Sequence, residues 1–546
     1  MADALSRALS AGVSLAEIKK MQADGLPLEE IANAAEKVQS RGEEEIAEDV
    51  RPGDFSDVGN MDKFLELNEG KLLFTDSRGW LYWNGVCWVA DDHRATKNAA
   101  KMSDKMLEDA QSAYRAALHA LADAKAEGDR EEMDQAAAAV KREKAYLDHA
   151  MRTRSDRRIK AILELAKHFL AIDPARLDAN PAELNTPKGI INLKTGEIRP
   201  CDKSALCTKV TTCAPGSAGA EMWCKFLEDV TGGDNSFITY LQMVAGMALF
   251  GRVYEEGVIL AYGAGKNGKS TMFNALAAVL GDYAGTLDIA VLTTDRQNRG
   301  AALATLRGKR LVIAGELEEG KRLSVSTLKQ ISSTDPITVE EKYRSPETVV
   351  PSHSLVLFTN HLPRVGSTDE GTWRRLKVVP FNTRISRGIP NYGEKLVNEA
   401  GPAILAWEIQ GAMMFAENGY RLPLPEIVEE ATTEYRQREN WLENFLEECC
   451  IMEPDARAPA GELYKEYREW AQRSGDYVRR DVEFSDAMTG KGFQKIAPKG
   501  KKFWVGLRID IAKRYGVSAG LGGGGGVGVA AISYCIPLDQ KNTVLG

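Results

Sequence analysis

The sequence predicts an α/β protein built around a parallel sheet, with helical regions before and after the sheet. Three mainly apolar runs predict buried strands, because strands covered on both faces of a parallel sheet lose the alternation of apolar and polar residues. These runs lie at residues 258–262, 311–314 and 354–360. Helices are predicted before, between and after these runs. The clearest of them lie at residues 157–170, 223–249 and 271–280.

The composition is that of a globular protein with several domains. The chain has 546 residues, of which 44% are hydrophobic and 27% charged, and its length corresponds to about three or four domains. The net charge of −8 excludes a globally basic, histone-like protein, although a local basic surface is enough to bind nucleic acid. No stretch approaches the ~20 apolar residues that span a bilayer, and the N-terminus lacks a signal peptide. We therefore expect a cytoplasmic protein without a membrane partner.

We expect the eight cysteines to be free thiols in a reducing compartment. None lies in a CxxC pair. The evenly spaced Cys201, Cys207 and Cys213 have no nearby histidine, so structural zinc is not expected.

Composition and pattern divide the chain into five parts. Residues 1–58 form a helical segment and an acidic linker, and residues 59–215 an α+β domain that contains a small β-meander and a helical hairpin turning near Gly128. Residues 216–450 carry the sheet and its motifs. The pattern of residues 451–515 predicts helices followed by two strands. Residues 516–546 form a glycine-rich linker and tail by composition. The aromatic meander could stack on bases or form a small core, and the helical hairpin could contact a partner or act as a spacer.

The strongest motif is the run GAGKNGKS at residues 263–270, which matches the G-x-x-x-x-G-K-[ST] pattern of phosphate-binding loops. A predicted strand precedes it and a predicted helix follows it. The glycines let backbone amides surround phosphate oxygens. Lys269 would reach the β- and γ-phosphates of ATP, and Ser270 would bind Mg²⁺. The candidate nucleotide-binding residues are Gly263, Gly265, Asn267, Gly268, Lys269, Ser270 and Thr271.

Polar side chains follow the next two predicted strands. Glu316 is the first candidate to bind Mg²⁺ and polarise water, and Glu318 is the second. Asn360 ends the third strand, where it could hold the attacking water or an oxygen of the γ-phosphate. A solvated acidic run and an ordinary strand end are the simpler alternatives.

A pair of arginines, Arg374 and Arg375, precedes a further apolar strand. Such a residue can serve as an arginine finger that stabilises charge on the transferred phosphoryl group. If the neighbouring subunit supplies it, the protein must form a ring. A surface salt bridge is the alternative.

The order and spacing of these motifs resemble those of superfamily 3 helicases, which are AAA+-type ring motors of small viruses, phages and plasmids. The resemblance is strongest to the helicase portion of phage and plasmid primase-helicases of the poxvirus type, and it covers roughly residues 60–510. Residues 185–196 resemble the domain that precedes the motor in this family. The resemblance implies an AAA+-like P-loop motor with a parallel sheet, flanked by N-terminal α+β and helical domains and a C-terminal winged helix.

The same resemblance implies two DNA-binding elements and one finger position. A β-hairpin at residues 335–344 would point into the ring channel with Lys342 and Tyr343 near its tip, and Arg344 is a further candidate to bind DNA. Arg375 rather than Arg374 would take the finger position. A winged helix at residues 461–507 would contact DNA through its basic wing, or would bind a protein instead. The candidate wing residues are Lys499, Lys501 and Lys502.

The sequence therefore predicts an ATP-dependent replicative DNA helicase of phage or mobile-element type, acting as a hexameric ring in the cytoplasm of a bacterial host. ATP and Mg²⁺ are the expected cofactors, and single-stranded or forked DNA, further copies of the chain and host replication proteins the expected partners. One alternative is an ATPase that loads or melts at an origin without processive unwinding. Another is a DNA-binding protein that uses ATP only to assemble. Primer synthesis is disfavoured, because residues 1–60 are too short for a primase domain.

Overall fold

The computed structural model describes several stretches of the chain. They are residues 49–293, 300–315, 321–339, 347–365, 369–385, 388–474 and 477–510. The chain divides into two compact units, and the boundary falls between Arg436 and Gln437, inside the helix Glu426–Glu439. The helices predicted before residue 49 and the glycine-rich tail lie outside the described residues. None of the helices within the described stretches is long and apolar enough to cross a membrane.

The first unit begins with a mixed α/β region. Its elements are α1 (Asp57–Leu67), β1 (Leu72–Thr75), β2 (Gly79–Trp83), β3 (Trp88–Ala90), α2 (Asp92–Glu127), α3 (Arg130–Thr153) and α4 (Asp156–Leu170). Strands β1, β2 and β3 form an antiparallel sheet in that order, which confirms the predicted meander. Trp80 and Trp88 are buried, so the core alternative holds for these two rings.

The predicted helical hairpin is confirmed, and its turn forms at two adjacent residues. Gly128 ends α2 with a φ of 80°, a conformation that glycine adopts without strain. Asp129 then caps α3, because its carboxylate accepts hydrogen bonds from the amides of Glu131 and Glu132 at 2.8 and 3.3 Å. One residue therefore stops the first helix and the next residue starts the second.

Residues 49–56, which were expected to belong to an acidic linker, pack against α3 instead. Val50 is fully buried, and Arg51 donates a hydrogen bond to Glu143 at 2.8 Å. Phe55 stacks on Tyr146 with ring centroids 5.5 Å apart. Apolar burial and a charge-assisted hydrogen bond therefore fix this segment in place.

A second small sheet joins the N-terminal region to the rest of the unit. Strands β4 (Glu183–Thr186), β5 (Gly189–Asn192) and β6 (Ile198–Arg199) are antiparallel. The side-chain amide of Asn185 donates to the carbonyls of Val86 and Lys209, each at 3.0 Å. Its backbone N–H donates to the hydroxyl of Tyr283 at 3.1 Å. Asn185 thus links the meander to a segment beside the main sheet.

The remainder of the first unit is a five-stranded parallel sheet with helices packed on it. Its elements are α5 (Ala220–Thr231), α6 (Asn235–Met247), β7 (Val258–Tyr262), α7 (Lys269–Leu280), β8 (Ala284–Leu287), α8 (Gly300–Ala304), β9 (Leu311–Ala314), α9 (Val325–Ile331), β10 (Ile337–Val339), β11 (Glu347–Val349), β12 (Ser354–Thr359), α10 (Glu370–Trp373), β13 (Leu376–Pro380), α11 (Tyr392–Glu417) and α12 (Glu426–Glu439). The strand order in the sheet is β13-β7-β12-β9-β8, and β10 and β11 form a separate antiparallel hairpin.

Both faces of the parallel sheet are buried, which explains its continuous apolar strands. Ile259 and Ala261 of β7 face one core, which includes residues of α5, α6, α7 and α11. Val258 and Leu260 face a second core, which includes residues of α9 and Tyr435. Because successive side chains of a strand point to opposite faces, each residue of the run enters one of the two cores.

The second unit combines three helices with a three-stranded antiparallel sheet. Its elements are α13 (Trp441–Cys449), β14 (Cys450–Pro459), α14 (Ala460–Arg473), α15 (Asp481–Gly490), β15 (Lys495–Ile496) and β16 (Phe503–Ile509). The sheet order is β14-β16-β15. Aromatic side chains from the helices and from β16 dominate its core. The two predicted helices and two predicted strands are present, and β14 is a strand that the sequence pattern did not predict.

Candidate functional site

The glycine-rich loop lies at the carboxyl end of β7, which is the second strand of the parallel sheet, next to β13. Strand β7 pairs with β13 on one side and with β12 on the other. The strand that follows β7 in sequence, β8, lies at the far edge of the sheet. The loop therefore sits where the strand order changes direction, and ligands of open α/β sheets bind at such points.

The loop between β7 and α7 has a backbone that bends sharply around residues with positive φ. These residues are Gly265 at 91°, Lys266 at 54° and Gly268 at 79°. The amide of Gly265 donates to the carbonyl of Gly263 at 2.8 Å. Gly268 precedes the first turn of α7, so the open N–H groups at that helix end lie beside the loop.

Asn267 and Lys266 tie the loop to the segment that follows β13. The buried side-chain amide of Asn267 donates to the carbonyl of Phe381 at 3.0 Å. The amide of Ile385 donates to the carbonyl of Lys266 at 2.9 Å. Hydrogen bonds on both sides of the turn therefore hold the loop in one conformation.

The structure brings together two of the predicted site residues, Lys269 and Asn360. Lys269 is 3% exposed, and its ammonium group donates to the carbonyl of Gly263 at 3.1 Å and to Oδ1 of Asn360. Asn360 directly follows β12, which pairs with β7. A buried cation thus lies between the glycine-rich loop and the end of the neighbouring strand.

The structure describes only some of the other residues that were predicted to bind ATP or Mg²⁺ at this end of the sheet. Ser270 and Thr271 lie in the first turn of α7 and are half-buried. Strand β9 ends at Ala314 and pairs with β12, so the chain leaves the sheet at the same edge as the loop. Glu316 and Glu318 lie outside the described residues, and their roles stay predictions.

The paired arginines lie at the amino edge of the same sheet, where the amino ends of the parallel strands meet. This edge is opposite the glycine-rich loop. Arg375 immediately precedes β13, whose first residue pairs with Val258 at the start of β7. Its side chain is 10% exposed and forms an ion pair with Glu256, whereas the side chain of Arg374 is 63% exposed and lies 3.4 Å from the same carboxylate. Glu256 was not among the predicted site residues. The sequence signal that could have identified it is the acidic pair Glu255-Glu256, which only Gly257 separates from the start of β7.

The base of the predicted hairpin is confirmed, and its tip lies outside the described residues. Strands β10 and β11 pair from Ile337 with Val349 to Val339 with Glu347. Lys342, Tyr343 and Arg344 fall between them in the undescribed segment, so their contact with DNA stays a prediction.

The second unit exposes part of the predicted basic cluster. Lys499, Lys501 and Lys502 are exposed in the turn between β15 and β16. Trp504, which follows Lys502 by two residues, is 1% exposed and belongs to the core of the unit. Its ring therefore stabilises the fold and is not free to stack on a base.

In the described part of the chain, the free thiols include Cys87, Cys201, Cys207, Cys213 and Cys224. Burial raises the pKa of Cys87 to about 11 and that of Cys207 to about 12. Both thiols therefore stay protonated and weakly nucleophilic at neutral pH.

Two family models match separate parts of the chain. One, described as D5 N terminal like, matches residues 62–232. The other, a family of unknown function named DUF5906, matches residues 261–375, which contain the glycine-rich loop, Asn360 and both arginines.

Several viral proteins are similar to the chain over part of its length. A "Putative helicase" of Acanthamoeba polyphaga mimivirus is 27% identical over 334 residues, which cover 55% of this chain and 34% of that protein. A "Putative helicase" of Frog virus 3 is 26% identical over 264 residues, covering 43% and 27%. A "Putative primase" of African swine fever virus is 24% identical over 297 residues, covering 50% and 31%. The matched part thus spans about a third or less of each relative.

A solved structure titled as the apo C-terminal region of NrS-1 aligns with 54% of this chain and 77% of that chain, at 13% identity and a TM-score of 0.34. Separate parts of the chain are therefore similar to the D5 N-terminal-like family, to DUF5906 and to viral proteins named as putative helicases or primases.

Proposed function

We propose that this protein is an ATP-dependent DNA helicase of superfamily 3, with an AAA+-like motor that follows the N-terminal α+β region. The observation that carries the proposal is the contact between buried Lys269 and Asn360 at the switch point of the parallel sheet. A cation enclosed by a glycine-rich loop and a polar strand end is the arrangement expected around the terminal phosphates of a nucleotide.

The loop residues would divide the work of binding ATP. The amides that follow Gly265 and Gly268 would donate to phosphate oxygens, and the ammonium group of Lys269 would neutralise negative charge on the β- and γ-phosphates. Asn360 would orient the γ-phosphate or the attacking water. Ser270 fits a Mg²⁺ ligand, because its half-buried hydroxyl lies one residue beyond Lys269 on α7. Bound Mg²⁺ supplies positive charge to the phosphates, and Glu316 would be its second protein ligand.

The position of the arginines favours a ring of subunits. Strand β7 has five residues, so its two ends are roughly 16 Å apart. Arg374 and Arg375 lie at one end and the glycine-rich loop at the other, a separation longer than an arginine side chain. An arginine finger from this pair would therefore serve the site of a neighbouring copy, as a hexameric ring provides.

DNA would be held by elements outside the sheet. The hairpin β10–β11 would carry Lys342, Tyr343 and Arg344 toward single-stranded DNA in the ring channel. The order of helices and strands in the second unit fits a winged helix, with Lys499, Lys501 and Lys502 in its wing. These lysines would contact phosphates without reading the base sequence.

A second candidate function is an ATPase that loads or melts at an origin and recruits host replication proteins. The length of the hairpin formed by α2 and α3 favours a partner contact of this kind, because α2 has 36 residues and α3 has 24. The name of the African swine fever virus relative raises primer synthesis as well. The matched part covers 31% of that protein, so its name carries little weight for this chain.

Strand displacement on a forked duplex tests the proposal. We expect ATP-dependent unwinding by the wild-type protein and none by Lys269→Ala or Glu316→Gln. Hydrolysis of ATP without unwinding would favour the loader. DNA-dependent activity that survives Glu316→Gln would show that ATP is only an assembly ligand.

A further inference from the structure

One carboxylate at the amino edge of the sheet joins three segments of the chain. Oε2 of Glu256 forms ion pairs with Arg375 and, at 3.4 Å, with Arg374. Oε1 of Glu256 accepts a hydrogen bond from the amide of Thr334 at 3.4 Å. Thr334 lies three residues before β10, so Glu256 connects the start of β7, the paired arginines and the base of the hairpin.

A second ion pair runs parallel to this connection. Lys329 of α9 pairs with Asp369, the residue that caps α10. Asp369 also accepts hydrogen bonds from the amide of Gly371 at 3.2 Å and from the hydroxyl of Thr372 at 2.6 Å. Because α9 leads into β10 and α10 leads into Arg374, the hairpin and the arginine turn are joined at two points.

The two arginines are held to different degrees. Nη1 of Arg375 donates to the carbonyl of Gly371 at 2.8 Å, and Nη2 contacts Glu256. Nε of Arg375 is buried and has no hydrogen-bond partner in the described stretches of the chain. The orientation of Arg375 therefore depends on Glu256 and one carbonyl. Arg374 keeps most of its side chain in solvent.

We propose that Glu256 is a positioning residue for ATP hydrolysis in the neighbouring subunit. It fixes the guanidinium group of Arg375 and, through Thr334, couples that group to the hairpin. A hairpin that moves on binding DNA would then change how the arginines meet the neighbouring site. This inference rests on the proposed function, and it assigns to Glu256 a role that does not include contact with the nucleotide.

Glu256→Gln tests the role, because glutamine keeps the shape of the side chain and removes its charge. We expect kcat for ATP hydrolysis in the presence of single-stranded DNA to fall about 10- to 100-fold, as misplacement of a reacting group does. KM for ATP should stay within about twofold, because the glycine-rich loop lies at the other edge of the sheet. The ratio of kcat with and without DNA should approach one.

Glu255→Gln is the matched control. Glu255 is the adjacent carboxylate, and it accepts from the amide of Leu422 at 2.7 Å instead of facing the arginines. This variant should keep the wild-type ratio. Lys329→Gln is a second test at a half-exposed position that does not threaten folding, and it should also lower the ratio.

The possible failures are distinguishable. A wild-type protein that does not hydrolyse ATP would overturn the proposed function and this inference with it. Wild-type hydrolysis stimulated by DNA, with the same stimulation in Glu256→Gln and Lys329→Gln, would overturn the positioning role alone. A rise in KM with unchanged kcat would also contradict it.

Discussion

Substituting the last glycine of the loop should reveal how tightly α5 supports it. In Gly268→Ala, the new Cβ would lie 2.3 Å from Cγ1 of Val230 and 3.3 Å from Cδ1 of Ile385. Val230 is 1% exposed, and its β-branched side chain is stiff. The backbone at Gly268 has a φ of 79°, which alanine adopts only with strain.

Two costs therefore add in this variant. The positive φ costs about 1–2 kcal/mol for a residue with a Cβ, and overpacking of a filled core costs about 1–3 kcal/mol. We expect Gly268→Ala to lower the free energy of unfolding of the first unit by about 2–5 kcal/mol. Gly265→Ala is the matched control. Its φ is 91°, but its Cβ would have no neighbour closer than 4.0 Å among the described residues, so only the conformational cost is expected.

Chemical denaturation of the full chain measures both changes, with fluorescence and circular dichroism followed in parallel. The expected result is that Gly268→Ala unfolds at a clearly lower denaturant concentration than Gly265→Ala. Equal stabilities would refute the close packing of the loop against Val230. A less stable Gly265→Ala would show that the loop has a different backbone conformation.

Three further predictions concern other sites. In Asn360→Ala, we expect kcat for ATP hydrolysis to fall about 100-fold, with a smaller change in KM, in steady-state assays. Burial raises the pKa of Glu408 well above 4.5, so wild-type stability should fall as the pH rises above that value. Glu408→Leu should remove this pH dependence and raise the free energy of unfolding by about 1–3 kcal/mol at pH 8. Replacing Lys499, Lys501 and Lys502 together with alanine should lower DNA affinity. It should also reduce the salt slope, which is the slope of the logarithm of the binding constant against that of the salt concentration, by about 3.

Each of these predictions has an outcome that contradicts it. An unchanged kcat in Asn360→Ala would remove that residue from the site. If the free energies of unfolding of Glu408→Leu and the wild type differ by the same amount at pH 5 and pH 8, the buried carboxyl group does not have a raised pKa. Alanine at Lys465, an exposed lysine of α14, is the control for the wing. A salt slope that changes as much in this control as in the triple variant would exclude a specific role of the wing.

The buried strands of the main sheet were predictable because burial on both faces leaves a run of apolar residues. This signal placed β7, β9 and β12 close to their observed bounds. Strand β8 lacks the signal. It lies at the edge of the sheet, and only Leu287 among its four residues is buried. Short edge strands therefore escape an analysis that depends on continuous burial.

The candidate site was predictable to the extent that it is local in sequence. The glycine-rich loop occupies consecutive residues, and the sequence placed Asn360 at the end of a strand. The ion pair between Glu256 and Arg375 joins residues 119 apart, so it depends on the register of β13 against β7. Burial of Trp504 is also a tertiary property, because an aromatic residue beside lysines fits a core or a stacking surface equally well.

The proposed function requires that the loop around Lys269 binds ATP for hydrolysis coupled to DNA. The most direct test is the rate of ATP hydrolysis with and without single-stranded DNA, for the wild type and Lys269→Ala, on protein sized by light scattering. We expect hydrolysis that DNA stimulates, by an assembly of several subunits, and its loss in a Lys269→Ala variant that remains folded. A monomer without DNA-dependent hydrolysis, or a variant as active as the wild type, would contradict it.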